Sequence, residues 1–349
     1  MIAVDAMGGD YAPHEVVKGA VKAWQECRVD IALVGRGAIL RSLLGDDLKK
    51  TGLTIVEASQ VIGVHDSPVK ALQTKTDSSI VVGIGLVKKG LAQAFVSAGN
   101  TGAVFGAALF LLGKIEGIER PAIAAVLNIT DSTPVLLIDA GANADCRPGH
   151  LVQFAQLGAI YANKVLGIAS PRIGLLSIGQ EETKGNRLTK ETHQLLKKTD
   201  LNFFGNVEGQ DMPKGIVDVV VTDGFTGNVA LKTLEGVGDA FKGLIQHLGQ
   251  SLTSSTRVHG RLLVGVTGLG YWAKKVDYTE YGGACLVGVK GNVIIVHGRS
   301  QAKAIKNAIL LAKQTAEHDT LETIRQESQK YAAFLKTRTK ASLGATHSG

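Results

Sequence analysis

The sequence predicts a three-layer α/β/α fold of the Rossmann-like class, in which helices cover both faces of a mostly parallel but mixed sheet. The first observation is the alternation of short runs rich in Val, Ile and Leu with stretches of helical periodicity. The second is the glycine content, 43 of 349 residues, which is well above the average of roughly 7% and indicates many tight turns. The third is the link 290–292 between the last two apolar runs, which is too short for a parallel crossover and indicates a hairpin.

Strands are expected where short apolar, β-branched runs end in turn residues. In chain order they are Ile2–Asp5, Asp30–Val34, Leu53–Glu57, Ala94–Ser97, Ile123–Leu127, Val135–Asp139, Ile173–Ile178, Asn202–Gly205, Asp218–Thr222, Ala284–Val289 and Val293–His297. Helices are expected where apolar residues recur at helical spacing, with Pro13 and Pro68 in first turns. They are Pro13–Glu26, Asp66–Lys75, Ser78–Lys89, Thr101–Leu112, Gly149–Val165, Asn186–Lys198 and Gly298–Leu335.

The chain is expected to form a single α/β domain over residues 1–335, because no internal repeat or Pro/Ser-rich linker divides it. Residues 237–278 interrupt the alternation and predict a protruding helical hairpin. Two interpretations of the hairpin remain open, a contact between subunits of a dimer and a contact with a membrane surface. The apolar residues that would make either contact are Leu262, Leu263, Val264 and Trp272. Residues 336–349 are small and polar, which predicts a flexible tail.

Composition excludes several classes of function. The three cysteines are far apart, so neither a disulfide framework nor a zinc site is indicated, and the N-terminus has no secretory pattern; a cytoplasmic location is expected. The net charge of +7 favours an acidic partner, but dispersed basic residues and few aromatics argue against nucleic acid. Motifs for dinucleotides, nucleoside triphosphates and serine hydrolases are absent from the sequence, and no cofactor is expected.

One glycine-rich turn predicts an anion site. The apolar run that ends at Ser97 leads through Ser97–Gly102 into an apolar helix. Glycines there allow a close approach of the backbone, and the N-terminus of a helix offers N–H groups to an anion. An ordinary turn with an Asn or Thr cap is the alternative.

Three further turns have the same construction, and we expect them to converge with the first on one polar pocket at the carboxyl ends of the strands. Their members Asp5, Gly8, Gly9, Asp139, Asn143, Asp223, Gly224, Thr226 and Asn228, with Tyr281 and Gly282 of a later glycine turn, are the candidate pocket residues. Lys184, in the turn after another strand, can hold an anion or donate a proton. A Mg²⁺ ion bound by Asp5, Asp139 or Asp223 is an open alternative to a site without metal.

Read in order, these motifs resemble the PlsX family of bacterial phosphate acyltransferases. The matching segments are Val4–Asp10, Ser97–Ala103, Arg120–Ala122, Asp139–Asn143, Lys184–Asn186, Gly205–Gly209, Thr222–Asn228 and Tyr281–Ala284. The resemblance implies a fold similar to phosphotransacetylases and isocitrate dehydrogenases, and transfer of an acyl group from acyl-[acyl-carrier-protein] to inorganic phosphate for phospholipid synthesis. It also implies a homodimer in peripheral contact with the membrane and with a membrane glycerol-phosphate acyltransferase.

Within that reaction, phosphate is assigned to Ser97, Gly99, Asn100, Thr101 and Gly102. Lys184 and Asn228 are the candidates for stabilising the oxyanion or the phosphate, with Asp223 orienting them, and His150 is a candidate for protonating the leaving sulfur. Two alternatives remain open at this point. One is a phosphotransacetylase-like enzyme that uses acyl-coenzyme A, and the other is a noncatalytic membrane scaffold for lipid enzymes.

Overall fold

The computed structural model describes residues 1–127, 134–253, 282–318 and 320–328. All eleven predicted strands are present there, with ends displaced by at most two residues. They are Ile2–Asp5 (β1), Ile31–Gly35 (β2), Leu53–Glu57 (β3), Ala94–Ser97 (β4), Ala122–Leu127 (β5), Val135–Ile138 (β6), Ile173–Leu176 (β7), Phe203–Val207 (β8), Val219–Val221 (β9), Ala284–Val287 (β10) and Asn292–Ile295 (β11).

The strands form one mixed sheet in the order β3-β2-β1-β4-β11-β10-β5-β6-β9-β7-β8. The predicted hairpin is confirmed, because β10 pairs with β11 in the antiparallel sense. Strand β10 is also antiparallel to β5, and β5 is antiparallel to β6, whereas the remaining neighbours are parallel. As a result, β1, β4 and β11 run in one direction, and β6, β9, β7 and β8 run in the other.

The helices are His14–Cys27 (α1), Gly37–Leu44 (α2), Asp47–Lys50 (α3), Pro68–Thr74 (α4), Ser79–Lys88 (α5), Thr101–Ala107 (α6), Pro148–Lys164 (α7), Arg187–Leu196 (α8), Gly224–Thr253 (α9) and Ala302–Glu317 (α10). A π-helical segment, Ala108–Leu112, extends α6, and Gly209–Lys214 forms a 3₁₀ helix. Residues 320–328 are also helical.

The sheet separates two apolar cores, which confirms the three-layer architecture. Along β1, Ile2 and Val4 face the first core and Ala3 faces the second, as the alternation of a strand requires. Helices α1, α7 and α10 contribute buried residues to the first core, and α5 and α6 contribute to the second. Helix α9 packs on the second side through Leu231 and Leu234.

The structure corrects the prediction of one long helix from Gly298 to Leu335. Helix α10 begins only at Ala302, because the preceding residues form a turn in which the Ser300 N–H donates to the His297 carbonyl oxygen at 2.9 Å. It ends at Glu317, and 320–328 form a separate helical segment.

Helix α9 changes the expected outline of the helical hairpin. It begins at Gly224 and continues without a break through Val237, where the hairpin was expected to start. The rest of the hairpin, 254–278, and the tail 336–349 lie outside the described residues, so the single domain over 1–335 stays a prediction. Among the helices that the structure does describe, none combines the length and the apolarity that a bilayer crossing needs.

Candidate active site

Three neighbouring parallel strands, β1, β4 and β11, bring their carboxyl-terminal turns together. We call residues 5–10, 97–102 and 297–300 the glycine-turn cluster. The Asp10 N–H donates to the Gly298 carbonyl oxygen at 2.8 Å, and the Val296 N–H donates to the Ser97 carbonyl oxygen at 2.8 Å. These backbone hydrogen bonds hold the three turns at the same edge of the sheet.

A buried carboxylate joins the first two turns. Asp5 is 1% exposed, and its Oδ2 accepts a hydrogen bond from the Ser97 hydroxyl at 2.7 Å. The Met7 N–H donates to the other carboxylate oxygen at 3.1 Å. Burial raises the pKa of Asp5, and the donors, with Ser79 and Ser97 foremost, oppose that rise. The Ser97 hydroxyl in turn accepts a hydrogen bond from the Gly99 N–H at 3.0 Å. Asp5 therefore positions the glycine turn through Ser97.

The two glycine turns approach so closely that a side chain has no room between them. A Cβ atom at Gly8 would lie 2.8 Å from both Cα and N of Gly99 and would also strike the Asp5 carboxylate. Gly9 has a φ of +106°, a conformation that favours glycine. The predicted requirement for glycine at 8 and 9 therefore has a steric cause at one position and a conformational cause at the other.

The Asn100 side chain is occupied by the protein itself. Its Oδ1 accepts from the Ala103 N–H at 3.0 Å, which caps α6, and its Nδ2 donates to the Val64 carbonyl oxygen at 3.1 Å and lies 3.2 Å from that of Asp66. Asn100 thus fixes the start of α6 against the loop 63–66. The next two residues, Thr101 and Gly102, are exposed in the first turn of the helix.

The turns after β6 and β9 do not join the glycine-turn cluster, which corrects the expectation of one pocket formed by all four turns. Three antiparallel pairs, β11–β10, β10–β5 and β5–β6, separate β11 from β6 in the sheet, so β6 and β9 run opposite to β11 and end at the opposite edge of the sheet. We call residues 139–143 and 222–228 the aspartate-turn cluster. Sequence periodicity identifies strands but does not reveal which edge each strand ends on.

Asp139 organises the aspartate-turn cluster. Its φ is +67° and its side chain is buried, with Oδ1 accepting from the Ala142 N–H at 2.9 Å and Oδ2 from the Asn143 N–H at 3.0 Å. The Asn143 side chain donates to the same carboxylate at 2.9 Å. Burial raises the pKa of Asp139, and these donors oppose it. Asp139 and Asn143 therefore support the turn.

The start of α9 completes this cluster. The Asp223 carboxylate accepts from the backbone and the hydroxyl of Thr226 at 2.9 and 2.8 Å, and the Gly224 N–H donates to the Asn143 carbonyl oxygen at 2.7 Å. The Asn228 amide donates to the Ala140 carbonyl oxygen at 3.4 Å. Asp223 therefore caps the helix.

A polar cavity of about 330 Å³ borders the aspartate-turn cluster, lined in part by Asp223, Thr226, Asn186 and Cys146. Burial, followed by the charges of Asp139 and Asp223, raises the pKa of Cys146 to about 12. Cys146 is therefore a protonated thiol at neutral pH and not a thiolate nucleophile.

Lys184 and His150 occupy contrasting environments. Lys184 follows β7, which ends at the same edge as β6 and β9, and its side chain is exposed. His150 is buried at the start of α7, where its Nδ1 accepts from the Arg147 N–H at 3.2 Å and its Nε2 lies 3.1 Å from a Glu119 oxygen. Both ring nitrogens of His150 thus have protein partners, and its role as a proton donor stays a prediction.

One cavity joins the two clusters. It has a volume of about 170 Å³ and lies over β5, β10 and β11, between α6 and α9. Thr101 and His297 line it from the glycine-turn cluster, and Ala140 and Asn228 line it from the aspartate-turn cluster. We call it the interhelical cavity. It is lined by both Thr101 and Asn228, which the sequence analysis had assigned to one site because the turns that contain them were expected to converge.

Sequence reasoning missed four polar residues of this cavity: Lys232, Glu235, His297 and Ser300. Asn228, Lys232 and Glu235 have helical spacing i, i+4, i+7 and therefore share one face of α9. A prediction that the helix starts at Gly224 would have revealed that face.

Other candidates contribute less to this picture. Gly282 has a φ of +74° and packs against the backbone of α10, which gives it a structural role. Tyr281, Leu262, Leu263, Val264 and Trp272 lie outside the described residues.

Within the described part of the chain, His, Cys, Asp and Glu form no group of three or more that could hold a metal ion. A larger cavity of about 340 Å³, lined by Gln153, Leu157 and other residues, includes none of the candidate residues.

Comparison with known proteins agrees with this architecture. A model of the family described as fatty acid synthesis protein matches residues 1–323. A protein of Dehalococcoides mccartyi named phosphate acyltransferase is 52% identical over 341 residues, which cover 98% of this chain and 96% of the relative. A protein of Desulforamulus reducens with the same name is 48% identical, with 93% and 96% covered.

Solved structures share the fold at low sequence identity. A phosphotransacetylase from Streptococcus pyogenes is 18% identical with a TM-score of 0.61, covering 91% of this chain and 94% of that chain. A branched-chain phosphotransacylase from Enterococcus faecalis is 16% identical with a TM-score of 0.56, covering 91% and 100%. These similarities confirm the predicted fold class.

Proposed function

Because this chain belongs to the PlsX family, the phosphate acyltransferases described as fatty acid synthesis proteins, we propose that its acyl donor is acyl-[acyl-carrier-protein]. The chain is an acyltransferase, and phosphate is its acyl acceptor. In the proposal, the product is an acyl phosphate that is consumed in phospholipid synthesis. Family membership sets aside the noncatalytic scaffold.

The observation that carries the proposal is the interhelical cavity, which is lined by both Thr101 of the glycine-turn cluster and Asn228 of α9. In the proposal, phosphate binds at the exposed first turn of α6, where Thr101 and Gly102 follow the glycine turn. The N–H groups of a helix start favour an anion there. Ser97, Gly99 and Asn100 support this turn, and Asn228 lines the same cavity as Thr101.

The chemistry requires positioning more than activation. Inorganic phosphate is a competent nucleophile near neutral pH, so a bound phosphate oxygen can attack the thioester carbonyl directly. Charge then develops on the carbonyl oxygen, where each suitably placed donor stabilises the transition state by about 3 kcal/mol. Asn228 is a candidate donor on the α9 side. The earlier assignment of Lys184 to the phosphate or the oxyanion requires a different position for that anion, because Lys184 lies at the opposite edge of the sheet from the first turn of α6.

The carrier protein is proposed on grounds of charge. This chain carries a net charge of +7 and has a pI near 9.2. Acyl carrier proteins are acidic, and complementary charge accelerates encounter between partners. The proposed location is the cytoplasm.

Subunit and membrane contacts are further parts of the proposal. Helix α9 exposes Phe225, Val229, Val237 and Leu244, which recur at intervals of about one or two helical turns. Such an apolar stripe supports a homodimer contact. For the hairpin predicted from the sequence, we propose peripheral contact with the membrane and with a membrane glycerol-phosphate acyltransferase. Sedimentation of the purified chain with and without anionic vesicles tests both contacts. A monomeric mass would contradict the homodimer, and a chain that does not sediment with the vesicles would contradict the membrane contact.

The donor is tested by incubating the purified chain with phosphate and either palmitoyl-[acyl-carrier-protein] or palmitoyl-coenzyme A. Free thiol is followed with a chromogenic reagent, and acyl phosphate is trapped with hydroxylamine. We expect phosphate-dependent thiol release from the carrier protein. Release from the coenzyme A thioester alone would refute the proposed donor and favour the phosphotransacetylase-like alternative.

A further inference from the structure

Residues 61–76, which include α4, form a closed loop that we call the α4 loop. Its two ends meet, because the Gln60 N–H donates to the Asp77 carbonyl oxygen at 3.1 Å and the Ser79 N–H donates to the Gln60 carbonyl oxygen at 3.3 Å. The N–H and the hydroxyl of Ser59 both donate to the Asp77 carboxylate, at 2.8 and 2.6 Å. The base of the loop is therefore fixed between the end of β3 and the start of α5.

The α4 loop packs closely along α6. A Cβ atom at Gly102 would lie 2.7 Å from Cγ of Pro68, and one at Gly106 would lie 2.8 Å from Cδ1 of Leu72. Gly102 and Gly106 are one helical turn apart, and so are Pro68 and Leu72, so the two helices meet along one face of each. The α4 loop therefore forms the wall beside the first turn of α6, where phosphate is proposed to bind.

The tip of the α4 loop surrounds the side chain that caps α6. Three carbonyl oxygens of the tip lie 3.1–3.3 Å from Nδ2 of Asn100, and they belong to Gly63, Val64 and Asp66. The tip is closed on itself, because the Gly63 N–H donates to the Asp66 carboxylate at 2.7 Å. Three carbonyl oxygens that point at one amide group repel one another, so this arrangement needs a further group to hold the tip in place.

Lys75 is that group. Its ammonium group donates to the Asp66 carboxylate at 2.5 Å and to the Val61 carbonyl oxygen at 2.9 Å. The side chains of Lys75 and Asp66 are each 34% exposed, so both are partly sheltered from water. The hydrogen bond from Lys75, followed by that from the Gly63 N–H, lowers the pKa of Asp66, so the carboxylate is charged at neutral pH. Lys75 thus ties the tip of the α4 loop to the end of α4.

We propose that Lys75 is a positioning residue of the phosphate site. By binding Asp66 and Val61, it fixes the carbonyl oxygens that orient the Asn100 amide, and Asn100 in turn fixes the N–H groups at the start of α6. Because its ammonium group binds two acceptors of the loop, Lys75 acts through Asn100 and not as a phosphate ligand. The inference rests on the proposed function, in which phosphate binds at that helix start, and it concerns a residue that the sequence analysis did not assign.

The direct test compares Lys75→Met with wild type in initial-rate assays that vary phosphate and the acyl donor in turn. Methionine keeps an unbranched side chain and removes the charge and the donors. We expect the KM for phosphate to rise about tenfold or more, because the turn that binds phosphate is no longer held in its binding geometry. The KM for the acyl donor should change by less than about twofold, which distinguishes lost positioning from a general loss of structure.

Two matched variants serve as controls. Lys70→Met makes the same change at an exposed position of α4 and should leave both KM values unchanged. Lys75→Arg retains a charged donor and should keep the KM for phosphate within about threefold of wild type. A folded Lys75→Met variant with the wild-type KM for phosphate would overturn the proposal, and so would a Lys75→Arg variant as impaired as Lys75→Met.

The route through Asn100 is tested by a double-mutant cycle. In the Asn100→Ala background the tip of the loop has no amide to orient, so Lys75→Met should raise the KM for phosphate by less than about twofold there. Equal effects of Lys75→Met in the two backgrounds would refute the positioning role. If Lys75→Met does not fold, Asp66→Asn makes the same comparison, because it removes the charge of the partner at nearly constant size. An unchanged KM for phosphate in Asp66→Asn would also overturn the proposal.

The same assays separate the proposed function from the role of Lys75. All variants are assayed with the thioester that wild type accepts, so failure of the carrier-protein donor refutes that donor alone. If Asn100→Ala leaves the KM for phosphate unchanged, the proposed phosphate position is refuted, and the role of Lys75 with it. If Asn100→Ala raises that KM and Lys75→Met does not, the role of Lys75 is refuted while the phosphate position stands.

Discussion

Substituting Gly8 by alanine tests whether the close approach of the two glycine turns creates the site. Gly8 follows the buried carboxylate of Asp5 and faces the backbone of Gly99. Its φ does not lie in the left-handed region, so alanine perturbs packing alone. The substitution therefore separates the steric contribution of glycine from its conformational freedom.

The magnitude follows from the distances. The new Cβ would lie 2.8 Å from both Cα and N of Gly99, whereas ordinary contacts begin near 3.4 Å, so one turn must move away from the other. Backbone and side-chain hydrogen bonds anchor both turns, and overpacking of this kind costs about 1–3 kcal/mol. We expect Gly8→Ala to lower the unfolding free energy by that amount and to lower kcat/KM for phosphate by about tenfold or more.

The assay combines urea unfolding with the phosphate-dependent release of thiol. Gly85→Ala is the matched control, because Gly85 lies in α5 and a Cβ added there would meet no neighbouring atom within 4 Å. That control should gain up to about 1 kcal/mol of stability from helix propensity and keep its activity. A Gly8→Ala variant that matches wild type in both stability and activity would refute the steric explanation of this turn.

Three other predictions follow from the same structure. Burial alone would raise the pKa of Asp218, but the hydrogen bonds from Arg172, including one at 3.0 Å, lower that pKa below 3.8. Their stabilising effect is therefore full above pH 3.8 and is lost as the pH falls through the lower pKa of the native state. In urea unfolding across acid pH, the unfolding free energy of Asp218→Asn should depend less on pH than that of wild type, and an equal pH dependence would contradict this. Lys184→Ala should raise the KM for phosphate by about tenfold while Lys190→Ala, on α8, leaves it unchanged; equal KM values in initial-rate assays would remove Lys184 from the site. The thiol of Cys146, with a pKa of about 12, should resist iodoacetamide near neutral pH until urea unfolds the chain, and rapid labelling of Cys146 in the native state, detected by mass spectrometry, would count against a protonated thiol.

Much of the fold was predictable because it depends on local patterns. Short apolar runs identified all eleven strands, and the short link 290–292 identified the hairpin β10–β11. The start of α9 was missed because Thr222–Asn228 contains two glycines and an aspartate, which are typical of a turn, although Asp223 caps a helix there. Helix formation at that point depends on packing against the sheet rather than on local propensity.

The candidate site was predictable in its parts but not in its assembly. Asn100 was identified from its motif, yet only the structure shows that its amide binds the loop 63–66 and caps α6. His297 and Glu235 are 62 positions apart in the chain, so no local pattern connects them. Their approach follows from the position of α9 over β11 and β10.

By itself, the sequence determined the eleven strands, most of the helices, the glycine turns that end the strands, and the family, because these depend on residues that are close together in the chain. Only the tertiary structure decided that the turns form two clusters and that one cavity joins them. The physical reason is the direction of the strands. Three antiparallel pairs, β11–β10, β10–β5 and β5–β6, make β6 and β9 end at the opposite edge of the sheet from β11, and neither residue periodicity nor turn chemistry encodes which neighbour a strand pairs with.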